Sequence, residues 1–299
     1  MLAGLGACGG GGGSTTPDAP VVEGNPGFAR PTAALKANNE DMPDKWVELG
    51  PADLTCLGTP ANDPATTVAV ELSTVVRDFQ SDSLVPGATV TAFKNQDLTT
   101  PFFTGTADGN AAITIDIPVG VQRFGYKMTH ETALDTLLLN QTVDPSMSSQ
   151  TVSSIQTVSK STGQTLPALI GVSRSAGTGV LAGAIRDCQG HEISNFIATV
   201  TTNPARTASD IMHVAGADTY YFSSTVGLPV RHTQKAMGSE DGLFMVIELS
   251  AAPTAYVQVW GYPTDADLAS DNLTLIAELQ TQVIADTVIT GSYEPLRTP

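Results

Sequence analysis

One alternating stretch decides the fold of this chain: Val85-Pro86-Gly87-Ala88-Thr89-Val90-Thr91-Ala92-Phe93. The Pro-Gly pair favours a turn, and the alternation after it has the period of two that a half-buried strand requires. The residues from Thr67 to Val76 alternate in the same way, and Ile113-Thr114-Ile115-Asp116-Ile117 follows a tight turn at Asp108-Gly109. Strands at this spacing predict an all-β sandwich.

The same order of motifs recurs in the second half. Val76-Arg77-Asp78 is matched by Ile185-Arg186-Asp187, and Asp108-Gly109 is matched by Asp241-Gly242. An alternating strand, Ala255-Tyr256-Val257-Gln258-Val259-Trp260-Gly261-Tyr262, completes the second copy. The repeat predicts two sandwiches in tandem, and 299 residues suffice for a tail and two domains of about 100 to 150 residues.

The first copy resembles the carboxypeptidase regulatory-like domain, which is a transthyretin-like β-sandwich. Its recurring pattern is Gly-Ala-x-Val, Asp-Gly, a strand and Pro-x-Gly, and Val85 to Val90, Asp108-Gly109 and Ile117-Pro118-Val119-Gly120 match it. The second copy departs from the pattern at Ile193 to Val200 and at Ser250-Ala251-Ala252-Pro253. The resemblance implies two transthyretin-like or immunoglobulin-like β-sandwiches.

The N-terminus, Leu5-Gly6-Ala7-Cys8 followed by Gly9 to Gly13, resembles the lipobox and tether of a bacterial lipoprotein. This resemblance implies that Cys8 carries a lipid anchor and that the protein sits at the cell envelope. Gly9, with no Asp at that position, favours the outer membrane of a Gram-negative bacterium. Residues 1–7 are short for a signal peptide, which we interpret as the end of a longer signal. The alternative is a Gly-rich N-terminus with an incidental cysteine.

We divide the chain into a residual lipoprotein signal, a disordered tether, a first sandwich, a helical bridge and a second sandwich. These segments cover residues 1–7, 8–45, 46–145, 146–172 and 173–299. The tether has no apolar period and is rich in Gly, Pro, Thr and Ala. In the bridge, Ser148 or Ser149 can cap a helix that carries Val152, Ile155 and Val158 on one stripe.

Charge and cysteine content limit the possible partners and location. Fourteen Lys and Arg oppose thirty Asp and Glu, so the net charge of −16 argues against a nucleic-acid partner. The chain has no run of 18 apolar residues, so we expect the anchor on Cys8 to supply the membrane attachment. With Cys8 assigned to the lipid, Cys56 and Cys188 are the two remaining cysteines, and both lie beside turn residues. This predicts a disulfide between them; two separate buried thiols are the alternative.

Catalytic motifs are weak throughout. Gly171-Val172-Ser173-Arg174-Ser175 misses the last glycine of a nucleophile elbow, and neither His-Glu-x-x-His nor His-x-x-Glu occurs. The Asp residues at 265, 267 and 271 lack the glycine and terminal glutamate of a calcium loop and favour a solvated turn. We therefore expect no enzyme activity, no cofactor and no metal site.

Aromatic and basic side chains concentrate between Asn203 and Glu240, and this segment is the candidate ligand-binding site. Its candidate residues are Tyr220, Tyr221, Arg231, His232 and Lys235. They could recognise a glycan or an acidic ligand by stacking and charge-assisted hydrogen bonds. The alternative is that the tyrosines fill the core while the cations are solvated. His213 and His232 alone are too few for a typical metal site.

These observations favour a non-catalytic, surface-anchored lipoprotein that acts as a scaffold or recognition module at the bacterial cell envelope. Its partners would be the membrane, through the lipid on Cys8, and an envelope protein, peptide or glycan. The alternative function is a glycan- or peptide-binding lipoprotein that uses residues 203–240 of the second domain.

Overall fold

A computed structural model describes residues 29–43, 45–214, 218–231 and 234–298. Strands are the predominant regular structure of these residues, as the sequence predicts. The strands are β1 Lys36–Met42, β2 Lys45–Pro51, β3 Val70–Asp78, β4 Thr89–Lys94, β5 Pro101–Thr106, β6 Ala112–Ile117, β7 Phe124–Thr129, β8 Ala133–Gln141, β9 Ser149–Thr151, β10 Ile155–Ser159, β11 Thr178–Ile185, β12 Glu192–Ser194, β13 Ile197–Thr201, β14 Asp218–Ser223, β15 Leu228–Val230, β16 Leu243–Ser250, β17 Ala252–Gly261, β18 Thr274–Val283 and β19 Thr287–Tyr293.

The helices are short, and none in the described part of the chain has the length and apolar character to cross a bilayer. They are α1 Lys160–Leu169, α2 Asp265–Ala269 and a 3-10 turn Ala208–Asp210. Helix α1 begins where the Ser159 hydroxyl accepts a hydrogen bond from the N–H of Thr162 at 3.1 Å. This is the N-cap geometry expected of serine.

The bridge differs from its prediction as a helix that starts at Ser148 or Ser149. Its first half forms β9 and β10, and both strands pair in parallel with β3. Ile155 and Thr157 are buried while Gln156 is exposed, so the segment alternates with a period of two. β-Branched residues favour this extended conformation when a neighbouring strand is available, and β3 supplies it.

The first sandwich runs from β3 to β10. In one layer β3 pairs with β6, β9 and β10; in the other, β4 lies between β5 and β7, and β7 pairs with β8. Both layers contribute apolar side chains to a single core. Its buried members include Val70, Leu72, Val76, Val90, Ile115, Ile117, Tyr126 and Met128.

The second sandwich runs from β11 to β19. The order β15-β14-β16-β11-β19 forms one layer, and β13-β17-β18 forms the other. Its core includes Leu181, Ile185, Val200, Tyr221, Phe244, Val246, Val257, Val259, Ile276 and Ile289. At Gly183 a Cβ atom would overlap the ring of Tyr293, so glycine is required where β11 and β19 pass each other.

A parallel pair of strands joins the two sandwiches into one continuous sheet. Residues Asp135 to Leu139 of β8 pair with Thr287 to Gly291 of β19. Leu137 and Leu139 belong to the core of the second sandwich, whereas Leu138 packs against the core of the first. Because neighbouring residues of a strand point to opposite faces, the two cores lie on opposite faces of this shared sheet.

Strand β1 lies within the segment predicted to be a disordered tether. It pairs with β12 of the second sandwich, and β2 pairs with β1. Leu35 and Ala37 are buried there. Order therefore begins before residue 46, and residues 46–51 pack with the second sandwich. The sequence did not show this, because the partner strand β12 lies some 150 residues away and local pattern does not reveal it.

Candidate functional site

The predicted disulfide is confirmed. Cys56 and Cys188 are bonded, with their Cα atoms 5.8 Å apart. The bond links the segment after β2 to the turn between β11 and β12. Disulfides of this kind persist in oxidising compartments, which agrees with a location outside the cytoplasm. Cys8, the predicted lipidation site, lies outside the described residues.

The repeated Arg-Asp motif ends a strand in the same way in both sandwiches. One oxygen of Asp78 accepts a hydrogen bond from the N–H of Ser81 at 2.9 Å, and the other accepts one from Ser159 at 2.7 Å. Asp187 accepts bonds from the N–H groups of Gln189 at 2.9 Å and Asp53 at 3.1 Å. Each carboxylate therefore fastens a distant segment to a strand end.

These contacts affect the ionisation of Asp78. Burial acts to raise the pKa of this carboxyl, but the N–H and hydroxyl groups of Ser81 and Ser159 outweigh burial and hold the pKa below its ordinary value. The side chain is therefore a charged anchor at neutral pH, as expected of a carboxylate that accepts several backbone hydrogen bonds.

Arg123 ties the two sandwiches together beside the disulfide. Its guanidinium lies 2.8 Å from Asp63 and 2.9 Å from Glu294, and it donates to the amide oxygen of Asn140 at 3.2 Å. Asn140 in turn donates to the carbonyl of Ser292 at 2.8 Å. Because Arg123 is mostly buried, this network restricts rotation of one sandwich against the other.

A polar cleft of about 410 Å³ lies along this junction. The disulfide forms part of its wall, and three arginines line it: Arg123, Arg186 and Arg297. Asp63, Asp187 and Glu294 line it as well. The cleft therefore combines both signs of charge on a chain whose surface is otherwise strongly acidic.

An apolar groove of about 340 Å³ lies on the shared sheet, on the face opposite the core of the second sandwich. Strands β8, β19, β11 and β16 form its floor, and helix α1 forms a wall through Gly163, Leu166 and Pro167. The floor is low because small side chains occupy its centre, namely Ala182, Ala184, Thr290 and Ser292. These residues are only partly buried, whereas their neighbours along each strand are packed in the core.

The two ends of the groove differ in polarity. Beneath α1 lie Phe79, Phe222 and Met245, which belong to or pack against a cluster of buried apolar residues. At the opposite end the lining includes Gln141, Ser292 and Arg186. A second arginine of the lining, Arg174, pairs with Asp286 near the start of β11. Arg186 lines both the groove and the polar cleft, so the two spaces meet at this side chain.

The candidate tyrosines of residues 203–240 are core residues. Tyr220 and Tyr221 are adjacent in β14, and each is 1% exposed. Tyr221 accepts a hydrogen bond from the N–H of Ala198 at 3.0 Å, and burial raises the pKa of its hydroxyl. Neither ring is available for stacking on a surface ligand. The structure agrees here with the alternative that the tyrosines fill the core, because β14 is buried on both faces.

The candidate cations have structural contacts of their own. Arg231 packs its guanidinium against Gly171 at the end of α1, and Lys235 lies 4.0 Å from Glu240. His232 lies outside the described residues. Recognition of an acidic ligand by Arg231 and Lys235 stays a prediction, without the stacking component.

The residues considered as metal ligands have structural contacts. No group of three or more His, Cys, Asp or Glu in the described residues is arranged to hold a metal ion. His213 is buried and accepts a hydrogen bond from the N–H of Val200 at 2.9 Å. Asp267 accepts one from the Thr264 hydroxyl at the start of α2, so a short helix replaces the turn expected here.

Comparison with known proteins gives no family for this chain. No protein-family model matches it, and neither does any curated protein. The shaft pilin SpaA from Lactobacillus rhamnosus GG aligns over 77% of this chain and 98% of that chain, at 10% identity and a TM-score of 0.22. The Bacillus anthracis TIE protein aligns over 92% of this chain and 48% of that chain, at 10% identity and a TM-score of 0.26. These TM-scores are too low to carry any property of either protein to this chain.

Sequence reasoning missed the groove and the cleft. Its available signal was the run Gly179-Val180-Leu181-Ala182-Gly183-Ala184, in which Val180, Ala182 and Ala184 share one face of the strand, so that face carries only small side chains. Which elements cover the small face depends on β8 and β19, which are far apart in the chain, so local pattern does not predict the space above it.

Proposed function

We propose that this protein is a non-catalytic structural module of a bacterial cell surface, anchored through a lipid on Cys8 and built to present a rigid body. The observation that carries the proposal is the parallel pairing of β8 with β19, which makes one sheet of the two sandwiches. A flexible hinge between the units would leave their relative position undefined; a shared sheet fixes it. The module would act by holding a partner protein, peptide or glycan at a set position.

Two further features support this proposal. The bond between Cys56 and Cys188 and the network around Arg123 both cross between segments that the shared sheet brings together. A chain exposed to an oxidising and variable environment gains stability from such covalent and ionic links. The N-terminal segment before β1 would supply the distance between membrane and module.

The test is to express the chain from its native gene in its own host, beside a Cys8→Ala variant and a matched Ser14→Ala control. We expect wild type and Ser14→Ala to carry an acyl mass on the N-terminal peptide, to fractionate with the membrane and to be labelled by antibody on intact cells. Cys8→Ala should lose all three properties. A wild-type chain that is non-acylated and remains in the cytosolic fraction would overturn the proposal.

A further inference from the structure

The apolar groove and the polar cleft lie side by side at the junction of the sandwiches, and Arg186 lines both. We call the pair the seam trough; it extends from helix α1 through Arg186 to the disulfide. Its apolar half, of about 340 Å³, falls at the lower end of the range of about 300–1,000 Å³ typical of small-molecule sites. Such sites are mostly apolar with a few polar groups that fix orientation.

The apolar half is suited to a narrow, flexible chain. Its floor is the face of a sheet, whose backbone N–H and C=O groups are already paired within β8, β19, β11 and β16. A peptide that binds by strand addition needs unpaired backbone groups at a sheet edge. An aliphatic chain needs none, and it can lie along the low strip formed by Ala182, Ala184 and Thr290.

The polar half offers cationic groups with free hydrogen-bonding capacity. Arg186 donates through Nε to Glu192 at 3.0 Å, which leaves its terminal nitrogens without a hydrogen bond to any described residue. Arg297 donates to the Thr59 hydroxyl at 2.7 Å and has no carboxylate partner in the described ranges. A guanidinium with free nitrogens is well suited to a carboxylate or a phosphate.

We propose that the seam trough binds a single-chain amphiphile that has an aliphatic tail and an anionic headgroup. The tail lies on the floor between Ala182 and Ala184 and beneath α1, and the headgroup lies at Arg186. A fatty acid and a lipid phosphate share this chemistry. The binding would give the module a ligand of its own at a cell surface, beyond its role as a rigid body.

The test is isothermal titration of the purified full chain with laurate, dodecyl phosphate and dodecyl maltoside, each below its critical micelle concentration. We expect saturable 1:1 binding of both anions and weaker binding of the neutral maltoside. The tighter of the two anions identifies the source, a fatty acid or a lipid phosphate. Saturable binding of neither anion would overturn the proposal.

Two variants locate the site. Ala184→Leu fills the floor and should weaken both anions by at least about tenfold, because the tail loses its space. Arg186→Gln should weaken the anions by about threefold to tenfold and leave the maltoside unchanged, because only the charge-assisted bonds are lost. Thr290→Leu fills the same floor from β19. It serves as the test variant if the Ala184→Leu protein does not fold.

Matched controls make the same changes elsewhere. Ala112→Leu adds the same side chain at an exposed position of β6, and Arg77→Gln removes the arginine that occupies the equivalent position in the first sandwich. Both controls should bind like wild type. Equal affinity in wild type, Ala184→Leu and Thr290→Leu, or equal losses in Arg186→Gln and Arg77→Gln, would contradict the proposal.

Discussion

The two strand ends at Val76-Arg77-Asp78 and Ile185-Arg186-Asp187 share a sequence pattern but hold different parts of the molecule. Asp78 fastens the N-terminus of α1 through Ser159, whereas Asp187 fastens the segment after β2 through Asp53. In both, a carboxylate is buried, with an exposure of 4% for Asp78 and 3% for Asp187. The aspartate therefore has the same structural role in each sandwich, although the segment that it holds differs.

The arginines of the two motifs differ more. Arg77 pairs with Asp82 of its own turn at 3.0 Å. Arg186 faces the junction of the sandwiches and lines both the groove and the cleft. The repeated motif thus keeps the aspartate hydrogen bonds at the strand end in both sandwiches. The contacts of the neighbouring arginine differ, because its surroundings differ.

The disulfide is the largest difference between the two strand ends, since only the second has one. Replacing Cys56 and Cys188 together by serine should lower the free energy of unfolding by about 4–5 kcal/mol, because a loop of more than 100 residues is released in the unfolded chain. Urea unfolding of wild type and variant measures this. Reductant should lower wild-type stability and leave the variant unchanged; a loss below about 1 kcal/mol would show that the bond is not structural.

The carboxylate at the first strand end should have the next largest effect. Asp78→Ala removes a buried carboxylate that accepts hydrogen bonds from the N–H groups of Ser81 and Ser159, so we expect a loss of about 3 kcal/mol in the free energy of unfolding. The matched control is Asp108→Ala at an exposed turn, where the loss should be about 1 kcal/mol. Equal losses in the two variants would contradict the anchoring role of Asp78.

The sequence predicts much of this comparison. The alternation in β3, β4, β6 and β17, the paired Arg-Asp motifs and the disulfide are all visible in the sequence, because each depends on local pattern or on cysteine parity. The helix expected from Ser148 or Ser149 was wrong in its first half, since Ile155 and Val158 fit a strand as well as a helix stripe and the parallel neighbour β3 decided between them.

The candidate site was harder to predict. Tyr220 and Tyr221 carry the side chains of a binding surface, but pairing of β14 with both β15 and β16 places them inside the sheet layer. The groove arises between strands that are more than 100 residues apart in the chain, such as β8 and β19. Burial and cavities of this kind depend on tertiary packing, which no local period encodes.

The aspartates Asp241 and Asp78 provide a comparison by pH. Asp241 is 4% exposed, and burial raises its pKa to about 6, although the Leu243 N–H and Lys235 act to lower it. A raised pKa favours the folded state below the unfolded value of 3.8, and this contribution is lost as pH rises through about 6. Asp241→Asn should therefore raise the stability by about 3 kcal/mol at pH 7 and change it little below pH ~4.

Thermal unfolding of wild type and Asp241→Asn between pH 4 and 8 measures this difference. Asp78→Asn provides a control of opposite sign. Because the pKa of Asp78 is lowered, its contribution is present at neutral pH and lost on acidification, so the variant should be less stable at pH 7 and approach wild type in acid. A pH-independent gain in Asp241→Asn would show that burial of charge is not the cause.

The arginines should have the smallest effect on stability. Arg77→Gln and Arg186→Gln each remove one partly exposed ion pair, to Asp82 and Glu192, and should each lower the free energy of unfolding by less than about 1 kcal/mol. Urea unfolding checks both. A loss above about 2 kcal/mol in Arg186→Gln alone would assign Arg186 a structural role in the junction.

The rigid body rests on the pairing of β8 with β19, and native-state hydrogen exchange measures this pairing most directly. Peptides covering 135–139 and 287–291 should exchange as slowly as those from the central strands β4 and β16, because opening the junction would require global unfolding. Exchange of the 135–139 and 287–291 peptides orders of magnitude faster than exchange of the two cores would show that the sandwiches separate in solution and would contradict the account.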